Sequence, residues 1–137
     1  MKKIILQAIR RLEAAFAMRA GNDDSVYFKS AIRKFDEWVE AKGFCSTDTT
    51  IPRLCSALGI SRYELSWVCN TVYGDSFTSL RKRFRIAEAE KLLLNKPEVP
   101  FSHIGEQVGI PDRTNFRRQF MEITGMTPRQ YRETHQK

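Results

Sequence analysis

Three arginines, Arg113, Arg117 and Arg118, stand close together late in the chain, interleaved with Thr114 and Asn115. Phe116, Phe120 and Ile123 run through the same stretch at i, i+4 and i+7, the spacing of a helix with one greasy face. At about 100° per residue, Thr114 and Arg118 point away from that face with Arg117 beside them, and Arg113 in the first turn projects past the helix end. Guanidinium groups held this way can fork onto guanine O6 and N7 or neutralise a phosphate. On a lone helix the same pattern describes any solvated charged face. The elements around it narrow the meaning. Ile104 to Val108 read as a short helix, Gly109 as a turn and Asp112 as the start of the arginine-bearing helix, an arrangement that can offer the second helix to a DNA major groove.

A second arrangement of this kind lies upstream. Thr49 or Thr50 can cap a short helix carrying Leu54, Cys55 and Leu58, with Pro52 tolerated in its first turn. Gly59-Ile60 makes the turn, and Ser61 with Glu64 fits a capping box opening the next helix. That helix buries Leu65, Val68 and Cys69, presents Tyr63, Trp67 and Asn70 outward with Arg62 and Ser66 flanking, and closes at Gly74. Displaced by 50 residues, Leu54, Leu58, Gly59 and Ile60 fall on Ile104, Val108, Gly109 and Ile110. One extra residue enters at Pro111, and a displacement of 51 then places Leu65, Cys69, Gly74 and Leu80 on Phe116, Phe120, Gly125 and Tyr131. Core and turn positions agree, whereas outward positions differ: Tyr63, Ser66, Trp67 and Asn70 take the places of Thr114, Arg117, Arg118 and Met121. This is the pattern of one structural unit used twice to read two targets, in successive major grooves roughly 34 Å apart.

The remaining segments also read as helices. Ile4 to Met18 form a basic amphipathic helix, and Gly21 to Ser25 a turn. Val26 to Lys42 carry Phe28, Ile32, Phe35, Trp38 and Val39 on one face and end at Gly43. A long helix from Phe77 to Asn95, capped by Ser76, uses Leu80, Phe84, Ala87, Leu92 and Leu94 as its apolar set, with Arg81, Lys82, Arg83 and Arg85 studding its first half. Pro97 to Pro100 form a stiff connection, after which Ser102 can cap His103 to Val108. No segment favours a strand over a helix.

Composition limits the function classes. A chain of 137 residues buries one good core or two small ones. Its net charge of +7 suits a polyanionic partner without separating DNA, RNA and an acidic membrane surface. No apolar run approaches the roughly 20 residues of a membrane span. Cys45, Cys55 and Cys69 are odd in number and lack CxxC spacing, which argues against zinc and for packed thiols in a reducing cytoplasm. His103 and His135 have no evident partner, and no acidic triad or nucleophile constellation appears, so neither an enzyme nor a cofactor is expected.

Over about Phe35 to Arg132 the sequence resembles the DNA-binding domain of the AraC/XylS transcriptional regulators. The resemblance is most specific at Ile104-Gly105, Val108-Gly109-Ile110, Asp112, Thr114-Asn115-Phe116, Phe120, Thr124 to Pro128 and Tyr131-Arg132. Arg85-Ile86, Ala89 and Leu92-Leu93 match in the connecting helix, and Leu54, Leu58 to Ser61, Leu65-Ser66 and Tyr73 to Phe77 in the first unit. It implies an all-α fold of two helix-turn-helix units, at about 50–74 and 102–124, joined by a linker helix at about 77–95. That places a DNA-binding domain at 26–137 and leaves 1–25 as an extra helix or linker of open role: the tail of a sensing or dimerising domain, a dimerisation helix, or part of a linker. It also implies sequence-specific duplex DNA binding, promoter activation with RNA polymerase as partner, and a bacterial cytoplasmic location. Carried over by position, the first recognition helix uses Arg62, Tyr63, Ser66, Trp67 and Asn70, and the second Arg113, Thr114, Asn115, Arg117 and Arg118. Thr50, Ser61, Arg83, Lys91, Ser102 and Arg132 are candidates for phosphate contacts. The sequence departs from the family pattern at Cys55, Cys69, Gly105 and Ile110, and at Trp67, which stands where a basic residue is common and cannot fork onto guanine. Competing readings are the DNA-binding module of a larger enzyme or sensor protein, and a non-specific nucleic-acid or membrane-surface protein using the basic helix Ile4 to Met18.

Overall fold

The computed structural model describes residues 26–135, in which helical periodicity becomes seven α-helices and no strand occurs. The basic helix expected over Ile4 to Met18 and the turn at Gly21 to Ser25 lie outside the described residues. Those described form two compact units, one running through Gly43 and then over Asp48–Leu80, the other comprising Phe44–Thr47 and everything from Arg81 onward.

The first unit contains α1 (Lys29–Glu40), α2 (Ile51–Leu58), α3 (Arg62–Trp67) and the first turn of α4 (Phe77–Asn95). Phe28, Ile32, Phe35 and Val39 of the α1 face are buried with Leu54, Leu65, Val68, Val72 and Phe77, as the i, i+3, i+4, i+7 spacing requires. The helix does not end at its glycine. Lys42 takes the left-handed turn at φ 59°, and Gly43 is needed for space instead, because a Cβ there would come within 2.1 Å of the Trp38 indole. Thr50 caps α2 through Arg53 N–H, and the Ser61–Glu64 capping box opens α3 with both reciprocal bonds in place. From Val68 to Tyr73 the helix relaxes into π geometry before Gly74, a widening that helical spacing alone did not foretell. It turns Val68, Cys69, Val72 and Tyr73 all inward. Burial pushes the Cys69 thiol up to about 12, with Cys55 adding to it, so this thiol is an inert core group.

In the second unit the remainder of α4 packs with α5 (Phe101–Gln107), α6 (Arg113–Thr124) and α7 (Pro128–His135). Its core is Ile86, Ala89, Leu93, Ile104, Val108, Ile110, Phe116 and Phe120. Three expectations change here. The inward residues of α4 are Ile86, Ala89 and Leu93, while Ala87, Leu92 and Leu94 are only half-buried. Ile123 is 38% exposed, because α6 has met its core with Phe116 and Phe120 and its last turn runs beyond it. Arg85, grouped with the basic run by sequence, is buried: its Nε donates to the Phe44 carbonyl at 2.6 Å and Nη2 to that of Ser46 at 2.8 Å. Burial, with Arg81 nearby, lowers its pKa to about 10, still far above neutrality, so the bonds remain charge-assisted. The guanidinium pins the 44–46 strip against the turn of α5–α6, where Gly109 has φ 90°.

A Cβ at Gly109 would lie 2.7 Å from the Cys45 carbonyl oxygen and 3.0 Å from Arg85 Nε, whereas one at Gly125, with φ 78°, meets nothing within 4 Å. Gly125→Ala therefore carries only left-handed strain, about 1–2 kcal/mol, while Gly109→Ala adds an overpacking cost of about 1–3 kcal/mol. Urea unfolding midpoints of the two variants compare these directly; equal losses would refute the close packing at Gly109. A second prediction concerns Asp36, whose half-buried carboxylate accepts from Tyr73 Oη at 2.5 Å. Burial raises the Asp36 pKa and the Tyr73 bond opposes that rise. A raised carboxyl pKa means stability that is full in acid and lost as pH climbs through the folded value. Tyr73→Phe removes the group that favours the charged form, so its cost, about 1–3 kcal/mol at pH 7, should shrink at pH 4. A cost independent of pH would sink this assignment.

Candidate nucleic-acid interface

The two expected recognition helices have the same span. α3 with its π extension runs from Arg62 to Tyr73, α6 from Arg113 to Thr124, and each ends on a left-handed glycine, Gly74 or Gly125. Each starts at a side-chain cap: Ser61 accepts from Glu64 N–H, and Asp112 from Asn115 N–H at 2.7 Å. Behind them lie matched cores, Leu65 and Cys69 in one and Phe116 and Phe120 in the other. The repeat read from sequence is thus a repeat of structure.

The outward faces differ as their residue types suggested. On α6, Arg113, Thr114, Arg117 and Arg118 are all exposed and Asn115 is half-buried. Arg118 bonds to the Asn115 side-chain oxygen and, at 3.3 Å, to Glu122, while Gln119 donates to the same Asn115 oxygen at 3.1 Å. Asn115 is therefore a brace that orients Arg118. Arg113 and Arg117 make no hydrogen bond or ion pair among the described residues. On α3, Arg62, Ser66 and Asn70 are exposed and Tyr63 is 69% exposed. The Asn70 amide is turned back on its own helix, donating to the Ser66 carbonyl at 2.9 Å.

Trp67 is placed differently from expectation. Its indole stacks on Phe28 at 4.1 Å between centroids and 9° from parallel, leaving it half-buried. Phe28 also meets Tyr63 at 5.7 Å and Tyr27 at 4.8 Å. The residue preceding α1 thus shields one face of the tryptophan, and Tyr63 is left as the exposed aromatic of this face. The contact links residues 39 positions apart, with no periodic signature, so sequence pattern could not reveal it.

The expected phosphate contacts also divide. Thr50 and Ser61 sit at helix starts as N-caps, and Arg83 and Lys91 are exposed on α4. Ser102 is not the cap: α5 begins one residue before it with Pro100 at the cap position, leaving Ser102 inside the first turn. Arg132 is committed internally. Its Nε donates to the Leu93 carbonyl at 2.9 Å, and its guanidinium lies 4.7 Å from the Phe101 ring centroid. It ties α7 to α4, assisted by Tyr131 Oη donating to Glu90 at 2.8 Å. Burial, then that bond, pushes the Tyr131 phenol up to about 12.

Two capped, twelve-residue helices, each backed by a short helix across a glycine turn and each exposing polar and cationic groups, define a double helix-turn-helix protein. A helix-turn-helix domain model matches residues 54–134, and the chain belongs to that family in its AraC/XylS form, a family of DNA-binding transcription regulators rather than enzymes. The arabinose operon regulatory proteins of Salmonella typhimurium and Escherichia coli are each 36% identical over 73 residues, 53% of this chain. The chain spans only about a quarter of those relatives, 26% and 25% of their lengths. Among solved structures, the C-terminal domain of AraT, a response regulator from Geobacillus stearothermophilus, is 31% identical with a TM-score of 0.69, over 76% of this chain and 84% of that one. The C-terminal domain of the two-component response regulator yesN from Fusobacterium nucleatum is 29% identical with a TM-score of 0.64, over 76% and 96%. No helix among the described residues is long and apolar enough to cross a membrane.

If Phe28 covers Trp67, Phe28→Ala should cost about 3 kcal/mol, at the lower end for a buried phenylalanine, and shift tryptophan emission to the red. The shift should disappear when Trp67→Phe is added, which separates it from Trp38. Unchanged emission in Phe28→Ala would show that the stack does not form.

Proposed function

We propose that the chain binds a bipartite DNA site through α3 and α6, one helix in each of two successive major grooves, and thereby regulates transcription from a nearby promoter. The observation that carries this reading is the reuse of one scaffold with different outward chemistry: Tyr63, Ser66 and Asn70 on one helix, Thr114, Arg117 and Arg118 on the other. A merely solubilising face has no reason to recur at the same positions of a repeated core. The relatives named for an operon support regulation, and family resemblance favours activation with RNA polymerase as partner and a cytoplasmic setting. Because the chain spans a quarter of those relatives, a separate sensing or dimerising domain fits the same reading.

Opposite its core, α6 places Thr114 and Arg118 at the outward pole, about 100° per residue around from Phe116 and Phe120. Arg118, held by Asn115 and Glu122, is the candidate for guanine, and Thr114 for a thymine methyl or a base edge. On α3 the pole belongs to Tyr63, since Trp67 is partly occupied by Phe28. The first head accordingly reads by packing and the second by charged hydrogen bonds.

Selecting bound sequences from a random duplex pool should return two separated motifs about one helical turn apart; a single motif or none would overturn two-groove recognition. On the selected site, Arg118→Ala should cost about 1–3 kcal/mol and relax preference at one base pair. Retained affinity and specificity at matched salt would remove Arg118 from the reading head.

A further inference from the structure

Beside each recognition helix the structure holds an open cleft, and the two clefts are copies of each other. The larger, about 500 Å³, lies within the second unit, where the first turns of α5, α6 and α7 converge. The other, about 410 Å³, lies within the first unit, where α2, α3 and α4 begin. At a displacement of 51 residues their walls correspond: Arg62 with Arg113, Ser66 with Arg117, Ser76 with Thr127, and Thr78 with Arg129. The repeat therefore extends past core and turn to an empty space. Packing alone has no use for a recurrent void, whereas a recurrent ligand does.

The cationic groups around the clefts suit an anion, with three arginines on the larger and Arg62 on the other. Arg62, Arg113, Arg117 and Arg129 make no hydrogen bond or ion pair among the described residues, and all four lie on these clefts. Other described arginines are committed: Arg33 to Glu37, Arg53 to Asp48, Arg118 to Glu122, and Arg85 and Arg132 to backbone carbonyls. The opening turns of α4 and α7 add their positive ends, each capped by a hydroxyl: Ser76 accepts from Ser79 N–H, and Thr127 exchanges bonds with Gln130. Arg62 and Arg113 occupy the edge of their helices, roughly 100° from the outward pole held by Tyr63 and Thr114.

We infer that each cleft seats one stretch of DNA sugar-phosphate backbone alongside its recognition helix, with Arg62 and Arg113 as equivalent phosphate clamps rather than base readers. The inference rests on the DNA-binding function proposed above and assigns these two arginines within it. The second seat is the stronger, since Arg117 and Arg129 stand where the first has Ser66 and Thr78.

The test is a scan of single neutral methylphosphonates through the selected duplex, with the full chain and its Arg62→Gln and Arg113→Gln variants. The parent should lose affinity at discrete phosphates, and each variant should become indifferent to one of them, a different one in each case. Each variant should also weaken all duplexes alike and lower the slope of log affinity against log salt by about 0.9. Unchanged phosphate sensitivity, or relaxed preference at one base pair with the salt slope intact, would overturn the assignment. Loss of duplex binding by the parent itself would instead refute the underlying function. Titrating inorganic phosphate without DNA distinguishes a backbone seat from a site for a phosphorylated small molecule: only weak shifts of the Arg129 amide are expected, and saturation at low phosphate would overturn a backbone seat.

Discussion

A buried guanidinium holds the second helix-turn-helix to its support. The strip Phe44 to Ser46 follows α1 without a long helix of its own, so its carbonyls need donors from elsewhere. Arg85 reaches them from α4 and answers two at once. A neutral side chain of similar length would leave desolvated carbonyls behind, and a lysine lacks the fork to meet both. Once the strip is fixed, the α5–α6 turn must pass within van der Waals reach of the Cys45 carbonyl, and only a residue without Cβ fits. The glycine in the turn, the arginine in the long helix and the short strip after α1 are a single constraint distributed over three places in sequence.

That constraint fixes where α6 starts, and local chemistry does the rest. Asp112 closes the free amide of Asn115, Asn115 braces Arg118, and Glu122 holds the guanidinium from the following turn. These exposed contacts contribute little stability individually. Their effect is on entropy: a side chain already restricted to one orientation would lose less on meeting a partner. The first unit achieves order differently. Its aromatic groups Phe28, Tyr63 and Trp67 lean on one another, and the π turn that follows places four consecutive-pair residues in the core. One head is stiffened by hydrogen bonds and the other by ring packing.

Much of this was legible in the amino-acid order, and the remainder was hidden for identifiable reasons. Caps, turn glycines and core faces are local, so Ser61, Asp112, Leu65 and Phe116 could be assigned by spacing. The repeat sharpened them, since errors in one copy are checked by the other. Arg85 could not be read as buried, because its charge matched the exposed run before it and its partners are carbonyls, which carry no sequence signal. Trp67 was assigned outward by angle, which ignores what a preceding segment can lay over it. Ile123 continued a periodic stripe beyond the length of the core it was to cover. Arg132 sits on a motif position, but its partners are again backbone oxygens. Apart from Ile123, these misses share a cause: a long side chain meeting groups distant in sequence.

The same sorting changes what the positive charge means. A net charge of +7 predicts attraction to any polyanion and says nothing about geometry. The fold leaves Arg85 and Arg132 charged but commits them to internal carbonyls, and it pairs Arg33, Arg53 and Arg118 with carboxylates. What is left uncommitted among the described arginines gathers on the two repeat-related clefts beside the recognition helices. An acidic membrane would be served by any outward distribution of these groups. A duplex, with phosphates flanking each groove, would favour cations to the side of each helix proposed to read it, and these arginines lie on clefts beside those helices.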